Sequence, residues 1–85
     1  MLLRLKLKDL YEERGITQKK VSEATGIRAS TLSGLANNLR TSWDIEILER
    51  LMVYFELNDI RQMIEFEPPQ NVNDYIQKFD KKNKK

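Results

Sequence analysis

The sequence predicts a compact all-α bundle of five helices, and three observations carry that prediction. Apolar residues recur at helical spacing along most of the chain, helix starts and stops punctuate them, and only two short runs look strand-like. With 85 residues, the chain has room for one small core and no second domain.

Leu3, Leu5 and Leu7 alternate with Arg4, Lys6 and Lys8, a period of two suited to a short half-buried strand near Leu2–Lys6. From Leu7 the spacing changes. Leu7, Leu10, Tyr11 and Arg14 share a helical face, so a first helix is predicted over about Leu7–Arg14, closed by Gly15. A partner for the strand exists in Met63–Glu67, which Pro68 and Pro69 terminate. Two readings stand: a two-stranded ribbon joining the N-terminus to residues 63–67, or an earlier start of the first helix.

The next stretch, TQKKVSEATGIRASTLSGL from Thr17 to Leu35, organises the chain. Thr17 is a good N-cap, Val21 and Ala24 lie three apart on one face, and Gly26 suits a left-handed helix end. Ile16, just before the cap, is placed to staple against Val21. A third helix is predicted over about Arg28–Ala36. Leu32 and Leu35 point inward, whereas Arg28, Ala29, Ser30, Thr31, Ser33 and Gly34 are small, polar or basic. Two short helices joined by a tight turn with Gly, the second with a slim polar face, form the helix-turn-helix that sets its second helix in the DNA major groove. An ordinary helical hairpin is the competing reading.

The run ERGITQKKVSEATGI...STLSGLANN closely resembles the Cro and lambda-repressor type helix-turn-helix family, also called the Xre family. The matching features are a Gly-hydrophobic-Thr-Gln opening, an Ala and a Gly-hydrophobic pair at the turn, and a Leu-x-x-Leu-x-Asn close. The similarity extends from about Leu5 to about Phe66. It implies a five-helix bundle of the lambda-repressor type. It also implies that Gln18, in the Thr-Gln opening, sets a helix N-terminus against a DNA phosphate. Unpaired amides and an amide side chain at a helix start are good phosphate ligands. Two departures stand out. Gly34 lies where relatives tend to carry a longer polar side chain, at a cost of about 1 kcal/mol in helix propensity. Glu56 replaces the glycine that usually ends the fourth helix.

Residues of the first turn of such a helix reach base edges. Arg28 can fork onto guanine, Ala29 can touch a thymine methyl, and Ser30 can bond several bases; Thr31 and Ser33 complete the expected base-reading set. The phosphate-holding set comprises Thr17, Gln18, Lys19, Lys20, Asn37, Arg40 and Thr41. Asn37-Asn38 ends the helix, asparagine being the next-best residue to glycine for a left-handed conformation. Trp43 is large enough that burial is expected, against the fourth helix, over the loop or on a partner copy.

Asp44 caps a fourth helix over Ile45–Phe55, with Ile45, Leu48, Leu51, Met52 and Phe55 as its predicted buried stripe and Ile47, Val53 and Tyr54 off it. Asn58 is the expected cap of a last short helix from Asp59 to about Ile64, where Ile60 and either Met63 or Ile64 close the bundle. Residues 1–67 thus read as the DNA-binding domain and 68–85 as a linker and basic tail. Val72, Tyr75, Ile76 and Phe79 fall at helical spacing, and three fates are open to this tail: a packed helix, a basic arm on DNA, or fraying.

Charge is unevenly spread. From Arg14 to Arg40 five basic residues stand against Glu23 alone, whereas from Asp44 to Glu67 seven acids stand against Arg50 and Arg61. From Lys78 onward, five lysines face Asp80. One surface suited to a polyanion and another kept away from it would be charged in this way. Solvated helix faces with accidental clustering are the bland alternative.

The chain contains no cysteine and no histidine, which removes disulfides, the usual zinc ligands and the commonest general base. Its acids are scattered. No enzyme activity, cofactor, metal or small-molecule ligand is expected. No run approaches a membrane span, and MLLRLKLKDL is too charged and short for a secretory signal, so a cytoplasmic protein is expected. The leading functional expectation is sequence-specific binding of double-stranded DNA by a transcriptional regulator, a repressor in the family's commoner mode, acting as a homodimer. The alternatives are a protein-interaction module of antitoxin or anti-regulator type on the same fold, and a membrane-surface protein using the basic apolar tail.

Overall fold

The computed structural model describes residues 2–83, and side chains as far as Phe79; Lys84 and Lys85 of the basic tail lie outside the described residues. The chain runs β1 (Leu3–Leu5), α1 (Leu7–Arg14), α2 (Gln18–Thr25), α3 (Ala29–Ala36), α4 (Ile45–Tyr54), a 3-10 turn (Ile60–Gln62), β2 (Ile64–Phe66) and α5 (Val72–Asn83). The all-α expectation holds, with the ribbon. β1 and β2 pair antiparallel, placing Leu3 opposite Phe66, Arg4 opposite Glu65 and Leu5 opposite Ile64. The strand is therefore real, and α1 starts at Leu7 rather than earlier.

Leu7, Val21, Leu32, Leu51, Phe55 and Met63 are wholly enclosed, and Leu5, Leu10, Ile27, Leu35 and Ala36 surround them. Every element from β1 to the 3-10 turn and its flanks thus contributes to one core. Burial of each large side chain contributes about 1.5–3 kcal/mol, which holds together helices of eight to ten residues that would not persist alone.

Several local expectations change. Ala24 is exposed rather than packed beside Val21. In α4, Ile45 is 71% exposed, while Ile47 and Tyr54 pack on the core. The helix is rolled so that Leu51 and Phe55 lie innermost, with the Phe55 ring between Tyr54 at 5.1 Å and Tyr11 at 6.3 Å. That roll carries Ile45 outward, while Val53 is exposed as expected. The predicted last helix shrinks to the 3-10 turn, capped by Asp59 rather than Asn58: the Asp59 carboxylate accepts the Arg61 N–H, and Gln62 Oε1 accepts the N–H groups of Asn58 and Asp59. Ile60 is exposed, and Met63 alone of that stretch enters the innermost core. The fifth α-helix is instead the tail, started by Asn71, whose Oδ1 accepts the Asp74 N–H at 3.1 Å.

Three helices end in the same way. After α1, α3 and α4 the chain passes through a left-handed residue, respectively Gly15 (φ 61°), Asn38 (φ 56°) and Glu56 (φ 55°). In each case two N–H groups turn back to the last carbonyls: Gly15 and Ile16 to Glu12 and Tyr11, Asn38 and Leu39 to Leu35 and Gly34, Glu56 and Leu57 to Val53 and Met52. Glycine accepts this conformation freely, asparagine moderately, and glutamate only at a cost.

Candidate nucleic-acid interface

The pair α2 and α3 is built around a three-residue turn, Gly26-Ile27-Arg28. Thr17 starts α2 by accepting the Lys20 N–H at 3.2 Å, and Gly26, at φ 75°, ends it with its N–H on the Ser22 carbonyl. Two hydroxyls fix the turn: Ser22 donates to the Ile27 carbonyl, and Thr25 donates to Val21 while accepting the Ile27 N–H. Ile27 is buried and anchors the turn to the core. The Gln18 amide donates to the Ala29 carbonyl at 3.3 Å, so the N-termini of the two helices meet.

Within α3, Leu32, Leu35 and Ala36 face the core. At 100° per residue the opposite side carries Ser30 and Gly34, flanked by Ser33 and Asn37. Arg28, Ala29 and Ser30 are exposed, and Thr31, Ser33 and Gly34 are half-exposed. Arg28 stands one residue ahead of the helix as its N-cap, not in its first turn as the sequence suggested, and its side chain makes no capping bond. The first-turn amides of α3 are therefore not capped by that side chain and add positive potential beside the guanidinium.

The expected phosphate-contact residues fall into two groups. Thr17, Gln18, Lys19 and Lys20 form the start of α2, where both lysines are exposed and Gln18 is shared with α3. Asn37, Arg40 and Thr41 lie past the end of α3, all exposed. Asn37 Nδ2 donates to the Ser33 carbonyl at 2.9 Å. Arg40 bends back over α3, its side chain lying against Gly34. A structural role missed in the sequence belongs to Asn38: its Oδ1 accepts the Leu5 N–H at 2.7 Å and its Nδ2 donates to the Leu5 carbonyl at 3.1 Å. The left-handed preference of asparagine was readable there, but the tether to β1, 33 residues away, was not.

The groups with displaced pKa values belong to other elements. Burial pushes the Tyr11 phenol up to about 12, and the Arg61 guanidinium, hydrogen-bonded to Asp59, holds that carboxyl at about 2. Among the described residues no cluster of acids could hold a metal ion, and no helix is long and apolar enough to cross a membrane.

A family model described as Cro/C1-type HTH DNA-binding domain matches residues 6–69, from the residue before α1 through β2 and the two prolines. No curated protein and no solved structure gives a significant match.

Proposed function

The chain belongs to the Cro/C1-type HTH DNA-binding domain family, and from that premise we propose that it is a cytoplasmic, non-enzymatic regulator of transcription that binds one double-stranded DNA sequence and represses by occupying it. The observation that carries this reading is the bare side of α3. Opposite Leu32, Leu35 and Ala36, the fold leaves small polar side chains on a helix slim enough for a major groove. Arg28, Ala29, Ser30, Thr31 and Ser33 read base edges. Thr17, Gln18, Lys19 and Lys20 hold phosphates on one flank, and Asn37 and Thr41 hold them on the other. Residues 1–67 form the DNA-binding domain, and residues 68–85 carry α5.

A domain of this size covers little DNA, which favours binding as a two-fold pair. We assign that pairing to α5. Val72, Ile76 and Phe79 leave about half or more of their surface open, and beside them runs a groove lined by Leu3, Trp43, Phe66 and Tyr75. Leu3 and Phe66 continue the core-facing side of the ribbon past the edge of the core. One chain therefore offers both an apolar helix face and an apolar groove, and two-fold symmetry lets each cover the other.

A gel-shift titration across salt tests the function. Binding should weaken steeply with salt and be competed by one sequence far better than by random duplex. Binding indifferent to sequence and salt, or none in dilute salt, would favour the protein-interaction reading instead.

A further inference from the structure

Gly34 occupies the centre of the exposed side of α3, one turn after Ser30, and brings no side chain there. The space is nonetheless filled. A Cβ built on Gly34 would lie 2.9 Å from Arg40 Nε, 3.5 Å from its Cγ and 3.7 Å from its Cδ. The path of the chain explains why. After α3, Asn38 turns the backbone through its left-handed conformation, and the Leu39 N–H bonds the Gly34 carbonyl at 2.9 Å. Residue 40 is thereby returned to the helix it has just left, and its side chain lies so close to Gly34 that a Cβ there would push the Nε end aside.

We propose that Arg40 is a base-reading residue: its guanidinium enters the major groove with α3 and binds the O6 and N7 of a guanine, standing in for the side chain that Gly34 lacks. The sequence alone places Arg40 at the phosphate rim. The geometry lays its stem against Gly34, on the side of α3 that carries Ser30, while the same side chain also borders the groove beside Trp43. Among the described residues its guanidinium forms no ion pair, so no carboxylate there competes for its donors. A planar fork held at the floor-facing side of a recognition helix matches guanine better than any other base edge. The inference rests on the functional reading above, because it needs α3 in the groove.

The test begins with the duplex that the full chain selects from a random pool. Binding of wild type, Arg40→Ala, Arg40→Lys and Gly34→Ala is then measured on that duplex and on copies carrying 7-deazaguanine at one guanine at a time, which removes N7 and leaves the phosphates untouched. The expected result is one guanine whose replacement weakens wild type about tenfold and leaves Arg40→Ala unaffected. Arg40→Lys keeps the charge but loses most of that discrimination. Gly34→Ala, which displaces the arginine stem, changes the preference at the same base pair. Circular dichroism of the variants checks that each is folded, and Gly34→Ala, which improves the helix, serves even where Arg40→Ala does not fold. Equal weakening of every duplex by Arg40→Ala, with a shallower salt dependence and no change of preference, would overturn the inference and leave the functional reading standing. A wild-type chain that selects no duplex would overturn both.

Discussion

Asn38 joins the end of α3 to the first strand by pairing its side-chain amide with both backbone groups of Leu5, accepting at 2.7 Å and donating at 3.1 Å. The same residue turns the chain at φ 56°. One asparagine thus stops α3, sends Arg40 back over it and ties this corner to β1. Glycine would serve the turn better and the tether not at all.

Replacing Asn38 with Gly should therefore destabilise the protein although it relieves the backbone. Two partly buried hydrogen bonds are lost, for a net cost of about 1–2 kcal/mol. Urea denaturation reads it as a lower midpoint, and Asn38→Asp, which cannot donate to the Leu5 carbonyl at neutral pH, should also fall. A midpoint at or above wild type for Asn38→Gly would mean that the tether contributes nothing.

Glu56 presents the opposite case. It holds φ 55° with no side-chain bond to justify it among the described residues. Glu56→Gly should raise stability by about 1 kcal/mol, seen as a higher Tm, while Glu56→Ala should not. Equal Tm values for the two variants would contradict the strain.

The Tyr11 hydroxyl is buried and has no hydrogen-bond partner among the described residues. Tyr11→Phe should gain about 1 kcal/mol by removing it. Burial also raises the phenol from its ordinary 10.0 to about 12. Between those values the unfolded chain releases the proton and the folded chain keeps it, so wild-type stability should fall as pH rises from 10 to 12. The Phe variant should lose less over that window. A parallel fall in both proteins would count against the burial of that group.

If α5 pairs two copies, a charge in its apolar face should separate them. Sedimentation velocity of Ile76→Asp should show monomer where wild type shows dimer, because Ile76 is 48% exposed in the single chain and has no role in the core. A wild-type monomer at tens of micromolar, or an unchanged dimer for the variant, would remove α5 from that role.

Much of this architecture was legible because it depends on neighbours in sequence. Gly15, Gly26 and Asn38 announce helix ends by residue type, Thr17 and Asp44 announce starts, and the alternation of Leu3 and Leu5 announces a strand. The roll of α4 was not legible. Ile45 and Ile47 are equally apolar, and the choice between them comes from tertiary packing, in which Leu51 and Phe55 are enclosed and Phe55 meets Tyr11 of α1. In the candidate site, the open side of α3 follows from its pattern of Leu32 and Leu35. The return of Arg40 onto Gly34 does not, because it depends on the path of the loop after Asn38 rather than on spacing.

The most direct measurement is selection of bound duplexes from a random pool, made in parallel with wild type and with Ser30→Ala. Wild type should enrich one motif, in two related half-sites about one helical turn apart, and the variant should show a changed base preference within each half-site. No enrichment for wild type, or the same motif from both proteins, would contradict the claim that the open side of α3 reads DNA.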